Sequence, residues 1–186
     1  MKKRITKVAV IGSGIMGSGI ASHLAGIGLE VLLLDIAPKE LLPEEEGLSL
    51  EHPKVKNRIV NQALSKSLKS KPSPIYHQGF ASRIQTGNLD DDLHKIKNVD
   101  WIIEVVVERL DIKKQVFEAI EKHRTPGTLI SSNTSGIPIG LMSEGRSDDF
   151  QQYFCGTHFF NPARYLRLLE IIPGPKTKPE VLSFFE

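Results

Sequence analysis

The sequence predicts an α/β fold in which a doubly wound, mostly parallel sheet is covered by helices. Three observations carry this expectation. Strand-like and helix-like segments alternate along most of the chain. Almost all the strand-like segments are continuous apolar runs, the pattern of strands buried on both faces. Finally, the chain opens with VAVIGSGIMGSGIA running into LEVLLLD: an apolar run, a Gly-x-Gly-x-x-Gly turn, a helix-like stretch and a second apolar run ending in Asp35. With 186 residues, 40% of them hydrophobic, there is material for one domain with a sizeable core.

A lone glycine triplet says little, but here each glycine has a predicted task. Gly12 follows the run Val8, Ala9, Val10, Ile11 and makes the tight turn. Gly14 lets backbone approach a pyrophosphate, and Gly17 lets the helix pack on the strand. Gly14, Ile15 and Met16 bring the helix N-terminus, with its unpaired N–H groups and partial positive charge, to the phosphates. Asp35, eighteen residues past Gly17, ends the second strand, where a carboxylate can accept from both ribose hydroxyls. That carboxylate would repel a 2′-phosphate, and Ile36 and Ala37 provide no arginine to receive one. The unit is of the Rossmann type, and the expected cofactor is NAD rather than NADP.

The remaining elements follow in order. Residues 38–54, rich in Pro, Glu and Gly, read as an exposed loop. Residues 55–71 read as one amphipathic helix ended by PSP at 72–74, with Val60, Ala63, Leu64 and Leu68 inward and Arg58, Gln62, Ser65, Lys66 and Lys69 outward. These residues and those up to about 80 form an inserted helical arm. A short strand is expected over 82–88, a short helix over 91–96, and a buried strand over 100–107. A helix over 110–123 carries Ile112, Val116, Phe117 and Ile120 on one face. Another strand is expected over 127–133, then two late strands in YFCGTHFF and RLLEII. KPEVLSFFE begins like a helix and breaks off at Glu186; this predicts a fragment, with Phe184 and Phe185 exposed as an apolar patch.

Composition narrows the possibilities. A net charge of +2 on 24 basic and 22 acidic residues favours neither nucleic acid nor a membrane surface. No apolar run reaches the length of a membrane span. The start, MKKR before an apolar stretch, has the outline of a secretion signal, but the glycine turn and Asp35 fall in the same segment, so it reads as structure. The one cysteine, Cys155, excludes an internal disulfide and reads as a small buried hydrophobe of a reduced, cytoplasmic protein. No metal is called for.

Ligands of doubly wound sheets sit beyond the carboxyl ends of the strands. Asn133, Ser135 and His158 fall near such ends, and Asn161-Pro162 then turns the chain toward the strand holding Glu170. If the two late strands lie side by side, His158 can bond Glu170. Such a pair suits a dehydrogenase: the imidazole takes a hydroxyl proton while the carboxylate orients it. Glu170 interrupts LLEII, where an unpaired buried charge would be costly. The alternative is a solvated Glu170 on an edge strand beside a core histidine.

Taken together, IGSGIMGSGIA, LLLD, WIIEVVVERLDIKKQVF, SSNTS and GTHFFNPARYLRLLEII closely resemble the NAD-binding domain of the L-3-hydroxyacyl-CoA dehydrogenases of fatty-acid β-oxidation. The resemblance spans nearly the whole chain, with its gap at 38–80. It implies that His158 is the catalytic base, Glu170 its orienting partner, and Ser135 a contact both to the substrate's 3-oxygen and to the cofactor side. It also implies that Glu108 and Lys113 help to hold NAD and that Asn161 contacts substrate. The family's coenzyme A arm carries a serine and a lysine; the corresponding residues here are Ala63 and Lys71, and the Arg58–Lys69 face could meet the CoA phosphates. The family's second, helical domain supplies a further asparagine and most of a homodimer contact, and this chain is expected to lack it. RIVNQALSKSLKSKP and GIPIGLMSEGRSDDF resemble bacterial forms fused to an enoyl-CoA hydratase. Two other readings stay open: a dehydrogenase of a small 3-hydroxy acid without CoA, and an NAD-binding module inactive as an isolated fragment.

Overall fold

The structure, a computed structural model, describes residues 4–186; the first three residues of the basic start lie outside the described residues. Seven strands form one sheet: β1 (Lys7–Ile11), β2 (Glu30–Asp35), β3 (Ile84–Asn88), β4 (Trp101–Glu104), β5 (Leu129–Ser132), β6 (Phe154–Phe159) and β7 (Leu169–Pro173). Their order is β3-β2-β1-β4-β5-β6-β7. The first six run parallel, and β7 pairs antiparallel with β6. The chain winds outward from β1 to β3, then returns to place β4 on the other side of β1. That reversal opens a crevice beyond the ends of β1 and β4, the place where such sheets bind ligands.

Helices cover both faces: α1 (Ile15–Gly26), α2 (Pro53–Lys56), α3 (Arg58–Leu68), α4 (Leu89–Asp92), α5 (Leu110–His123), α6 (Ile139–Ser143), α7 (Asp148–Gln152) and α8 (Pro179–Phe185). Alternate residues of each strand feed opposite cores. Val8, Val10, Val31, Leu33, Trp101 and Ile103 pack beneath α1. Ala9, Ile11, Leu32, Leu34, Ile102 and Ile130 pack beneath α5 and α7. In the second core the rings of Phe117, Phe150 and Phe154 meet one another at 5.0–5.7 Å, tilted or edge-on. Cys155 is fully buried, and burial pushes its thiol up to about 12, so it stays protonated.

Several expectations need correction. The helix expected over 55–71 is two: α2 starts from His52, whose ring Nδ1 accepts from Lys54 N, and the break falls at Asn57. Asn57 Oδ1 accepts from the buried Asn88 Nδ2 at 2.9 Å, so a tertiary bond overrides helix continuity. Helix α3 ends at Leu68, before the PSP segment. The 38–54 loop is not wholly exposed, because Glu45 is buried against Arg58. Arg58, expected on the solvated face, also donates to Glu40 O at 3.0 Å and so is not presented to an anionic ligand. The strand expected over 100–107 stops at Glu104, and Val107 is 62% exposed. Phe184 and Phe185 do not form an exposed patch: both pack partly buried on the first core, and the Phe185 ring lies 5.0 Å from that of Trp101.

Candidate active site

The turn after β1 is built around two constraints. Gly12 has φ +103°, and a Cβ there would meet Val105 O at 2.6 Å. A Cβ on Gly17 would fall 1.8 Å from Gly12 O, so only glycine lets α1 close on the turn. Gly14, the residue capping α1, faces open space: a Cβ there would meet nothing within 4 Å. The first turn of α1 carries no acidic side chain, leaving its N–H groups and partial positive charge available to an anion. Asp35, at the end of β2, accepts from Ser13 N at 2.7 Å and from the Ser13 hydroxyl, and its other oxygen accepts from Ile36 N at 2.7 Å. Gly12, Gly14 and Asp35 line one cleft of ≈ 910 Å³, together with Val105, Ile112 and Val116. Lys39 also lines it. A diol on an apolar ring system fits this lining, and a pyrophosphate fits the helix end.

Beneath the ends of β4 and β5 lies a charged network that the sequence did not reveal. Glu104 is fully buried and Lys113 nearly so. Lys113 Nζ donates to Glu104 Oε1 at 2.7 Å and lies 3.3 Å from Glu108 Oε2. Glu104 also accepts from Val106 N at 2.7 Å and from Ser132 Oγ at 2.5 Å. Glu108 Oε1 accepts from the Thr134 hydroxyl, from Ser135 N at 3.1 Å and from Gly136 N at 3.2 Å. Partial burial would raise the Glu108 carboxyl, but the Thr134 hydroxyl, the Lys113 ammonium and the Gly136 N–H together hold it below the usual carboxylate range. The network ties the loop after β4 to the loop carrying Ser135. It leaves Ser135 exposed at the mouth of the sheet and Lys113 enclosed between two carboxylates.

The antiparallel pairing of β6 and β7 sets His158 directly opposite Glu170. His158 Nδ1 donates to Glu170 Oε2 at 2.7 Å. Glu170 is not buried, contrary to the inference from LLEII: β7 is an edge strand, and half of the Glu170 side chain is exposed. The bond to a half-buried imidazole is what removes it from the plain solvated reading. Asn133 Oδ1 accepts from Phe159 N at 2.8 Å and fastens the end of β5 to the strand bearing His158.

A second cleft, of ≈ 540 Å³, lies on the other side of the glycine turn, since Ser13 and Gly14 line both clefts. It brings Lys71 and Asn161, far apart in sequence, into one lining with Ala63, Lys66 and Ile15. Glu104, Ser132, Thr134 and Ser13 were missed from the sequence. The visible hint was a pair of glutamates in WIIEVVVE with a lysine one helical turn into α5. Among the described residues no group of three or more His, Cys, Asp or Glu could hold a metal ion, and no helix is long and apolar enough to cross a membrane.

A dinucleotide turn, a histidine–carboxylate pair and a second cleft, the first two at the carboxyl ends of parallel strands, agree with what the chain is similar to. The sequence model of the family described as 3-hydroxyacyl-CoA dehydrogenase, NAD binding domain, matches residues 7–185. A probable 3-hydroxyacyl-CoA dehydrogenase of Bacillus subtilis is 56% identical over 99% of this chain, which spans 24% of that protein. One of the same name from Deinococcus radiodurans is 46% identical over 98% of the chain and 49% of its own length. The crystal structure of 3-hydroxybutyryl-CoA dehydrogenase from Escherichia coli superposes with a TM-score of 0.71 at 30% identity, over 98% of this chain and 35% of that one. The chain thus spans about a quarter to a half of the curated relatives it matches. With a family model covering all but its first six residues and last residue, this chain belongs to the NAD-binding domain family of the 3-hydroxyacyl-CoA dehydrogenases.

Proposed function

We propose that the complete protein oxidises an L-3-hydroxyacyl-CoA to the 3-ketoacyl-CoA with NAD, a step of fatty-acid β-oxidation, and that this chain supplies the cofactor site and the acid–base pair. The observation that carries the reading is the His158–Glu170 bond near the carboxyl end of β6, on the side of the sheet where the glycine turn leaves the carboxyl end of β1. Because Nδ1 is engaged by Glu170, Nε2 is the nitrogen left to accept the proton of the substrate's 3-hydroxyl. Glu170 holds that tautomer and stabilises the imidazolium as the carbonyl forms. NAD held in this site would supply the hydride acceptor for the same carbon. Gly12, Gly14, Ile15, Met16 and Gly17 would cradle its phosphates and Asp35 its ribose, while Glu108, held by Lys113, and Ser135 would border its other end. Ser135 would also reach the 3-oxygen, with Asn161 and Lys71 along the acyl-CoA. A further domain would complete the acyl cleft and a homodimer contact. The single buried thiol suits a cytoplasmic setting.

Two measurements test this. Titrated with NADH, the 186-residue chain should bind, yet show no useful turnover of acetoacetyl-CoA, because alignment of the reacting groups needs the other wall of the cleft. The complete protein should turn over acetoacetyl-CoA far faster than free acetoacetate; the reverse preference would select the small-acid reading. Brisk turnover by the chain alone would show that no second domain is needed.

Cofactor choice is a separate expectation. NADH should bind much more tightly than NADPH, and Asp35→Ala should weaken NADH binding by about 1–3 kcal/mol through loss of charge-assisted hydrogen bonds. Equal affinities in a fluorescence titration would show that Asp35 does not hold the ribose diol.

A further inference from the structure

Arg164 sits two residues past the Asn161-Pro162 turn, and its guanidinium crosses to the far end of the helical arm. Nη1 donates to Ser73 O at 2.9 Å and to Ile75 O at 3.0 Å, about ninety residues away in sequence. Its carbon lies 4.1 Å over the centre of the Tyr76 ring, within reach of a cation–π contact. The neighbouring Tyr165 hydroxyl donates to the same Ser73 O at 3.0 Å. Both ends of this bridge are anchored. On one side Ile75 is buried in the first core, and Tyr76 fills the space against Gly26 of α1. On the other, Tyr165 N and Leu166 N both bond Pro162 O, so residues 162–166 form one tight turn leading from the strand of His158.

Arg164 lines the ≈ 540 Å³ cleft, as do Pro72 and Pro74 on either side of the Ser73 carbonyl it holds. Lys66, Lys71 and Pro72 line the arm side of the cleft, and Asn161 and Arg164 the side of the turn that follows β6. A planar guanidinium that holds two carbonyls and lies on a ring fixes distance and angle together, which an ammonium on a flexible stem does not. We propose that Arg164 is a positioning residue that sets the width and register of this cleft, so that a ligand gripped by its nucleotide end on the arm presents its reacting end to His158. This rests on the acyl-CoA reading above. It adds that affinity for the distal, phosphate-bearing part of the substrate depends on a residue of the turn after β6, through its hold on the backbone of 73–75 as well as its own place in the lining. His23 packs beside the same Tyr76 ring, and burial together with the Arg164 charge lowers its basicity below that of a free imidazole.

The test uses the complete enzyme with Arg164→Met, Arg164→Lys and Tyr165→Phe, assayed with acetoacetyl-CoA and with acetoacetyl-pantetheine, which lacks the nucleotide. Arg164→Met should raise KM for the CoA ester about tenfold. Its KM for NADH, its kcat, and its KM for the pantetheine ester should stay within about twofold. Arg164→Lys should recover only part of the loss, and Tyr165→Phe should give a smaller rise of the same kind. An equal rise for both esters, or a fall in kcat and Tm with no change in KM, would make Arg164 a purely structural residue and overturn the proposal. Should wild-type enzyme treat the two esters alike, it is the CoA reading itself that fails, and the role of Arg164 falls with it.

Discussion

In the complete enzyme, His158→Ala is expected to lower kcat by about 10²–10⁴-fold, the span for one positioned proton-transfer group. The loss should appear at saturating substrate, because the imidazole acts on the transferring proton rather than on binding. Glu170→Gln should also reduce kcat, and by less: an amide can still accept a hydrogen bond from Nδ1, but it does not stabilise the imidazolium. Neither change should alter NADH affinity, since the pair lies on β6 and β7 while the dinucleotide cleft is lined from β1, β2 and β4. Wild-type turnover in either variant, measured by steady-state NADH absorbance, would remove the pair from the mechanism.

The second large effect concerns folding. Lys113→Met should destabilise the chain by about 3–5 kcal/mol, because it leaves the fully buried Glu104 without its counter-charge. Glu104→Gln should cost less, as an amide can still bond Ser132 and Val106 N, although Lys113 keeps only Glu108. The double variant should be more stable than Lys113→Met alone, because it no longer strands a buried charge. Urea unfolding followed by circular dichroism gives all three values. Simple additivity of the single losses would show that the ammonium and the carboxylate do not depend on each other.

What the sequence made legible was whatever has a local signature. Gly12 and Gly17 occupy a turn whose backbone admits little else, and Asp35 ends a run that can only be a buried strand. Helix α5 lies over 110–123 as its periodicity indicates. Local pattern misleads where distant groups decide. Asn57 breaks the arm helix for the sake of Asn88, and Arg58 turns inward to meet Glu45. Val105, Val106 and Val107 carry on an apolar run, but the chain has already left the sheet; all three line a cleft, and only Val105 and Val106 also rest, partly buried, on the cores. The partners of Lys113 sit on a strand end and a loop, so helical periodicity alone could not mark that lysine as interior. Phe184 and Phe185 read as surface residues because their partners are distant in sequence: Phe185 meets Trp101 on the fourth strand, and Phe184 packs edge-on against Phe185 over the same core.

The reversal of direction at β7 has a consequence for how this site tolerates change. Parallel strands require a crossover of a dozen or more residues, so a carboxylate on a parallel neighbour would depend on a whole intervening helix. Here the return path is the short segment between Phe159 and Leu169, and the pairing of His158 with Glu170 depends on register alone. Residues can be added to or removed from that connector without disturbing the pair, provided the rungs of the ladder stay matched. A slip of a single rung is not tolerated, for it would turn Glu170 to the opposite face and offer His158 the apolar Leu169 or Ile171. The connector, which carries Asn161 and Arg164, is therefore not what holds His158 against Glu170; its own turn is held separately, by Arg164 and Tyr165 on the carbonyls of Ser73 and Ile75. The ladder thus sets the pair and the helical arm sets the turn, so a change in one set of contacts need not carry over to the other.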